Sequence, residues 1–443
     1  MDYKDGDRVG RGGFAVVDAV DTDDYGLVAK KTLEPIQQIL EEVGIDHLTK
    51  RFDREVRYQS ELTHPNVVQI LSFNLAAVPP YFYMPLAECS LKDELENGEL
   101  SADEIRRALF DILNGLEHIH AQGYIHRDLK PGNVLKLQNQ DKSYRYALSD
   151  FGLISATNSD TTTLTGSNAH GGSRNYSAPE LLGGFGRATS AADIYSFGAI
   201  LHDFFAPGMR RIPYAELSAP GDIGAVISKC TKTNTVRRYS AIAGLRDDLF
   251  NAIEGEQQEF ATAREEELIN LLEEDRELTD EEWDAVFIQM DDNKQAGDSN
   301  VNYFRAIGKA RIEELQRDAP DLFNAMGLEF AEYCQVGTFN FDYCDVLVNK
   351  LVMFYDGANI ELKSKIAIAT LVLGVSHNRW HVEYKFAYMA SSEISDELAK
   401  RICVEAKVQS VDFFDLLGRW SRSINASVAG LHVEIQQHYA GSS

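Results

Sequence analysis

Three groups able to handle phosphate stand within one short segment, Tyr124-Ile-His-Arg-Asp-Leu-Lys-Pro-Gly-Asn-Val-Leu135: the carboxylate of Asp128, the ammonium of Lys130 and the carboxamide of Asn133. Apolar residues flank them, so the segment reads as a loop held at both ends by the core. Phosphoryl transfer asks for this set: a base to orient a hydroxyl, a cation for developing phosphate charge, and a neutral oxygen ligand for Mg²⁺.

A second carboxylate, Asp150, closes the apolar strand-like run Tyr146-Ala-Leu-Ser and precedes Phe151-Gly152, 22 residues after Asp128. A carboxylate at a strand end can bridge a metal to phosphates, and the glycine lets the backbone turn. Upstream, Gly10-Arg-Gly12-Gly13-Phe-Ala15-Val-Val17 is a glycine-rich turn between β-like segments. Glycines allow the backbone close to phosphates and aim N–H groups at them. Two lysines compete in Leu27-Val-Ala29-Lys30-Lys31-Thr-Leu33. Strand side chains alternate faces, so Leu27, Ala29, Lys31 and Leu33 are expected inward and Lys30 outward. Lys31 is the expected phosphate-binding cation.

The elements that must position these groups are also legible. Pro35 ends the strand, and 36–62 reads as helical, with Phe52, Val56, Tyr58 and Leu62 among its apolar residues. Ser101-Ala-Asp-Glu104 is a capping box opening a helix through His120, with Ile105, Leu109, Ile112, Leu113 and Leu116 on one stripe.

The 124–135 loop matches H-R-D-L-x-x-x-N at every defined position. With the glycine turn, the lysine strand, Asp150-Phe-Gly and Gly172-Ser173-Arg-Asn-Tyr-Ser-Ala-Pro-Glu180, the chain resembles the Hanks-type Ser/Thr protein kinase family over about residues 5–252. The resemblance implies an α+β, bilobal kinase fold, with a small lobe to about residue 87 and a large lobe over 88–254. ATP is the implied phosphate donor, with Mg²⁺ or Mn²⁺ on Asn133 and Asp150. By the same likeness Glu55 pairs with Lys31, and the nucleotide is lined by Gly10, Gly12, Gly13, Ala15, Val17 and Ala29. Met84 is the implied gatekeeper, Pro85 and Ala87 the hinge residues that meet adenine. Asp128 orients the acceptor hydroxyl and Lys130 faces the γ-phosphate. Ser173 is implied to bond Asp128 and Lys130, Glu180 to pair with Arg238, and Asp193 to steady the catalytic loop. Arg127 is the implied counter-charge for a phosphorylated activation segment, whose candidates are Thr161, Thr162, Thr163, Thr165 and Ser167. A lysine two residues after the aspartate is typical of Ser/Thr kinases, and the 172–180 element points to a protein substrate. Ala15 replaces a glycine of the family pattern and Pro85 sits in the hinge; neither change removes a reactive group. Two other readings use the same residues: a nucleotide-binding scaffold, and a small-molecule phosphotransferase.

Length and charge bound the rest. At 443 residues two or three domains are expected. The formal charge of −26 disfavours nucleic acid and anionic membranes as partners. Five scattered cysteines suggest neither a disulfide framework nor a zinc site and fit a reducing, cytoplasmic setting. The acidic Met1-Asp-Tyr-Lys-Asp start lacks the apolar core of a signal peptide, and the best apolar run, Ile366 to Val375, is about half of a membrane span.

Beyond residue 254 the chemistry goes quiet. Residues 254–284 hold 14 Asp/Glu against Arg264 and Arg276, a net of −12, so 255–300 is expected as an acidic helical connector. Thr279-Asp-Glu-Glu282 is a capping box. Asp291 to Asp298 superficially suggests a calcium loop, but Lys294 and Tyr303 fall where ligands belong, so a helix-ending loop is expected. Residues 301–443 carry helical apolar spacing and are expected to form an all-helical regulatory or partner-binding domain, with residues 255–443 open to a regulatory partner or a second copy of the chain. His377-Asn-Arg-Trp380-His381 is expected at a helix boundary.

Overall fold

A computed structural model describes residues 3–98, 100–139, 142–152, 155–156, 173–183, 189–254, 260–339 and 341–440. The chain divides into two compact units, Met1–Ala252 and Ile253–Ser443.

The first unit begins with a five-stranded antiparallel sheet ordered β1-β2-β3-β5-β4 among the described residues. Its strands are β1 (Arg8–Arg11), β2 (Ala15–Thr22), β3 (Gly26–Leu33), β4 (Ser72–Asn74) and β5 (Tyr81–Met84). The expected single helix over 36–62 is two, α1 (Gln37–Val43) and α2 (Ile45–Glu61), because Gly44 between them takes φ 81°. That left-handed value suits glycine and stops the first helix. Leu48, Phe52 and Val56 of α2 pack with Ala29, Leu33 and Phe82 of the sheet into one core. The expected alternation of β3 holds at Ala29 and Leu33 but not at Leu27, which is 39% exposed at the strand's open start.

The second half of this unit is mostly helical. It contains β6 (Cys89–Ser90), α3 (Leu91–Asn97), α4 (Ala102–Ala121), β7 (Tyr124–Ile125), β8 (Val134–Gln138), β9 (Tyr144–Leu148), β10 (Ser155–Ala156), α5 (Ser190–Phe205), α6 (Gly221–Cys230) and α7 (Ile242–Glu254). Ser101 and Glu104 cap α4 reciprocally, as the sequence predicts. A Cβ on Gly115 of α4 would lie 2.6 Å from the Asn66 carbonyl and 2.9 Å from Leu148, so only glycine lets α4 come this close to β9. Two backbone bonds of 2.9 Å, Val68 N to Leu148 O and Leu148 N to Asn66 O, tie β9 to the segment that follows α2. The strand leading to Asp150 is thereby anchored to both halves of the unit.

The second unit is all-helical among its described residues. Its helices are α8 (Ala263–Glu273), α9 (Asp280–Ala296), α10 (Val301–Ala306), α11 (Lys309–Asp318), α12 (Pro320–Val336), α13 (Phe341–Gly357), α14 (Ile360–His377), α15 (Trp380–Met389), α16 (Asp396–Val408), α17 (Phe413–Ser423) and α18 (Val433–Ala440). Helix α14 is central: it packs against α12, α13, α15, α16 and α17 and buries Leu362, Ile366, Leu371 and Val375. The longest apolar run of the sequence is therefore a core helix. No described helix is long and apolar enough to cross a membrane.

The acidic stretch read as a connector supplies α8 and α9 to this unit. Arg311 donates to the carbonyls of Leu272, Glu274 and Arg276 at 2.6–3.0 Å, and Glu314 accepts from Leu278 N and Trp283 Nε1. Thr279 and Glu282 form the expected capping box, and α9 ends at Gly297 with φ 82°. His377 to Trp380 marks the junction of α14 and α15, with Asn378 left-handed between them.

Candidate active site

The first unit encloses a cavity of about 770 Å³ between its sheet and its helical half. Lys31 enters from β3 and Glu55 from α2, and the Lys31 ammonium donates to Glu55 at 2.5 Å and to Asp150 at 3.4 Å. Burial works against the Lys31 charge, yet Asp150 and Glu55 outweigh it and raise the ammonium's pKa. Burial likewise opposes the charge on Asp150, but Lys31, Lys130 and Arg51 hold its carboxyl well below the usual carboxylate range. Both groups therefore stay charged at neutral pH.

The loop after β7 is interlocked. Lys130 Nζ donates to Asp128 Oδ2 at 2.7 Å, while Asn133 Nδ2 donates to the Asp128 carbonyl at 2.8 Å and to its carboxylate at 3.2 Å. Asp193 of α5, fully buried, accepts from the backbone N–H of His126 and Arg127 at 2.9 and 2.8 Å, and its Oδ2 meets His120 Nε2 at 2.8 Å. Arg127 and Asp150 both hold left-handed backbone, φ 69° and 63°. Such values cost a non-glycine residue on the order of 1 kcal/mol and persist only where neighbours impose them. Here Asp193 imposes the first. The second follows a strand end tied by Ser149 N to the Asn133 carbonyl at 2.8 Å.

Gly10, Gly12, Gly13, Ala15 and Val17 line the cavity from the β1–β2 turn, closed by a 2.9 Å bond from Gly12 N to the Ala15 carbonyl. Ala29, Met84 and Ala87 line its apolar end, and Pro85 lies half-buried between the last two. Glu180 and Arg238 form a two-pronged ion pair at 2.7 and 2.9 Å, with Arg238 also donating to the Ala191 carbonyl. Ser173 opens a short 3-10 turn. Its side chain, and the candidates Thr161, Thr162, Thr163, Thr165 and Ser167, lie outside the described residues.

Two contacts escaped the sequence reading. Arg51 stacks its guanidinium 4.0 Å from the Phe14 ring and lies against Gly152, where a Cβ would sit 2.9 Å from its Nε. It stands four residues before Glu55 on one helix face, a spacing that could have flagged it. His120 comes from the last turn of α4, and nothing in its sequence surroundings marks it as a partner of Asp193.

Asn133 and Asp150 offer a carboxamide oxygen and an ionised carboxylate into one cavity, the hard oxygen donors that a small divalent cation takes. The donor set fits such an ion. With Lys31 and Lys130 opposite, the cavity pairs metal-binding oxygens with cations suited to a polyphosphate.

Comparison with known proteins agrees with this geometry. The family model for the protein kinase domain matches residues 3–273. Mitogen-activated protein kinase 12 of Mus musculus is 34% identical over 210 residues, covering 45% of this chain and 52% of that protein. CBL-interacting serine/threonine-protein kinase 24 of Arabidopsis thaliana is 32% identical over 289 residues, 61% of each chain. Serine/threonine-protein kinase PrkC of Bacillus subtilis is 28% identical over 246 residues, 49% of this chain and 36% of its own. The chain thus spans only about a third to three-fifths of the length of these relatives.

Proposed function

The chain belongs to the protein kinase family, and from that premise we propose that it transfers the γ-phosphate of ATP to Ser or Thr hydroxyls of a protein substrate. The observation that carries this reading is the convergence of Asp128, Lys130 and Asn133, interlocked at 2.7–3.2 Å, on the cavity that also holds Lys31, Glu55 and Asp150. Asp128 orients the acceptor hydroxyl and accepts its proton. Lys130 offsets charge on the phosphate in transit, and Lys31, fixed by Glu55, holds the phosphates deeper in the cleft. Asn133 and Asp150 would hold Mg²⁺ or Mn²⁺, which when bound offsets phosphate charge. Gly10, Gly12 and Gly13 supply backbone approach to the phosphates; Met84, Pro85 and Ala87 border the adenine.

Lys130 beside Asp128 and the names of the plant and bacterial relatives support Ser/Thr acceptors. The Glu180–Arg238 clamp, which braces the end of the 172–180 element, supports a protein rather than a small-molecule acceptor. Activation-segment phosphorylation within 161–167 is part of the proposal. Its support is Arg127, whose buried Nε has no partner among the described residues and whose neighbour Arg54 adds a second positive charge. The second unit would serve regulation, through a partner or a second copy. Buried thiols at Cys230, Cys334 and Cys344 fit a cytoplasmic location.

The test is purified chain with labelled ATP and Mg²⁺, beside Asp128→Ala and Asp150→Ala, with phosphosites mapped by mass spectrometry. Label on Ser or Thr in the parent alone supports the proposal. Equal labelling in all three sinks it.

A further inference from the structure

The cleft opens past the phosphate site toward a shelf lined by Arg174, Ser177, Leu181, Leu182 and Tyr214. Next to the loop that carries Asp128 stands a further cation, Lys92, which none of the roles above uses. Lys92 is the second residue of α3, whose start is fixed by a reciprocal cap between Ser90 and Asp93. The cap aims Lys92 back over the loop: a Cβ built on Gly132 would lie 4.0 Å from Lys92 Cδ. Gly132 sits between Lys130 and Asn133, so the lysine stem passes within ordinary contact distance of the catalytic loop.

The charge balance at this place is the point. Each carboxylate lining the cavity is engaged. Glu55 and Asp150 pair with Lys31, Asp128 with Lys130, and Asp93 accepts from Ser90 N and Oγ at 2.9 and 2.7 Å. Among the described residues, the ion pair of Lys92 is an exposed contact of 3.5 Å to Glu96, one turn along its own helix. Exposed pairs of this kind hold a cation weakly and exchange readily. A chain with a formal charge of −26 thus presents a replaceable positive charge at the mouth of its acceptor site.

We propose that the acceptor Ser or Thr is flanked by an acidic side chain, which Lys92 holds beside the Gly132 turn of the catalytic loop. The inference rests on the kinase reading and names the substrate class of that site: acidic rather than basic peptides. An arriving carboxylate displaces the weak Glu96 contact. Acting on a residue next to the acceptor rather than on the acceptor itself, Lys92 is a positioning residue, and its effect falls on substrate choice.

The experiment uses the full chain and three peptides that share one acceptor and differ only in flanking Glu, Ala or Lys. Wild type is expected to favour the Glu peptide over the Lys peptide by about tenfold in kcat/KM, mostly through KM, as one partly screened charge pair allows. Lys92→Glu should reverse the order, Lys92→Ala should flatten it, and Glu96→Ala should sharpen it. All three substitutions are at exposed positions, so folding is not at stake. Equal use of the peptides by wild type, or an order unchanged in Lys92→Glu, overturns the inference and leaves the kinase reading intact. No transfer to any peptide and none to the chain itself overturns both.

Discussion

Lys31 in the first unit and Lys350 in the second are both buried ammonium groups, and they meet different kinds of partner. Lys350 donates to the carbonyls of Phe304 and Arg305 at 2.9 and 2.8 Å, capping the C-terminal end of α10. Neutral carbonyls at a helix end welcome a cation, and that arrangement has no reason to change. Lys31 instead meets two carboxylates drawn from 24 and 119 residues away, beside a cavity that admits other anions. Backbone strain separates the units in part. Among the described residues of the second unit the left-handed non-glycine residues are Asn378, Ser410 and Asn425, all just past helix ends, where small polar residues accept such values. In the first unit Arg127 and Asp150 flank the reactive groups and Tyr214 lines the same cavity, while Lys142 sits in the turn between β8 and β9. Buried charge alone therefore does not mark function. Charge that faces a cavity does.

Breaking one carboxylate in each unit tests that distinction. Asp150→Asn should reduce phosphate transfer by about a thousandfold, a loss of ~4 kcal/mol in transition-state stabilisation, with a smaller loss of thermal stability because Lys31 keeps its pair with Glu55. Single-turnover transfer and calorimetry on the same sample read both quantities. Asp345→Ala should act in the opposite manner. Asp345 is fully buried and holds Arg379 through two bonds of 2.8 and 2.6 Å. Removing it takes both carboxylate bonds from the largely buried Arg379 guanidinium, at a cost of ~3–5 kcal/mol. Denaturant unfolding should show the loss, and replacing both partners by apolar residues should recover most of it. A stability collapse in Asp150→Asn with transfer retained would break the comparison.

The same contrast explains what the sequence made legible. Short motifs name their residues because phosphate chemistry constrains residue type and spacing together, so Lys31, Glu55, Asp128, Asn133 and Asp150 could all be picked before any fold was known. Helix starts were legible at Ser101 and Thr279, where a cap is local. What stayed hidden needed tertiary contact. The exposure of Leu27 depends on the sheet's boundary, and the role of Arg51 depends on Phe14 and Gly152 arriving from elsewhere. The acidic stretch read as a helical connector is helical in α8 and α9, and Asn302, Arg311 and Glu314 draw it into the second unit by bonds that no local pattern encodes.

A smaller effect probes the second unit by pH. Glu383, fully buried on α15, accepts from Ser423 Oγ at 2.7 Å, and its Oε1 has no partner among the described residues. Burial pushes its carboxyl up to about 7, with Ser423 and Arg419 pulling the other way. The folded unit then holds a proton that the unfolded chain releases near its ordinary value of 4.5. Stability contributed by that proton is present at low pH and falls as pH rises from about 4.5 through 7, by up to ~3 kcal/mol. Glu383→Gln should flatten this slope in urea unfolding between those values. An unchanged slope would show that the carboxylate finds other partners.

The smallest expected effect concerns the one departure in the glycine-rich turn. Ala15 begins β2, pairs with Leu33 and is 6% exposed, and its φ is not left-handed. Nothing in its backbone calls for glycine; its carbonyl already closes the turn on Gly12 N at 2.9 Å. Ala15→Gly should therefore gain little at the nucleotide. Glycine frees backbone that the strand must then order, which costs about 0.5–1 kcal/mol of stability. The KM for ATP should shift by no more than about threefold, because the phosphate-facing N–H groups belong to residues that do not change. A gain of tenfold or more would mean that the Cβ at position 15 obstructs the phosphates, and the turn would then be a defect in this site rather than an equivalent solution.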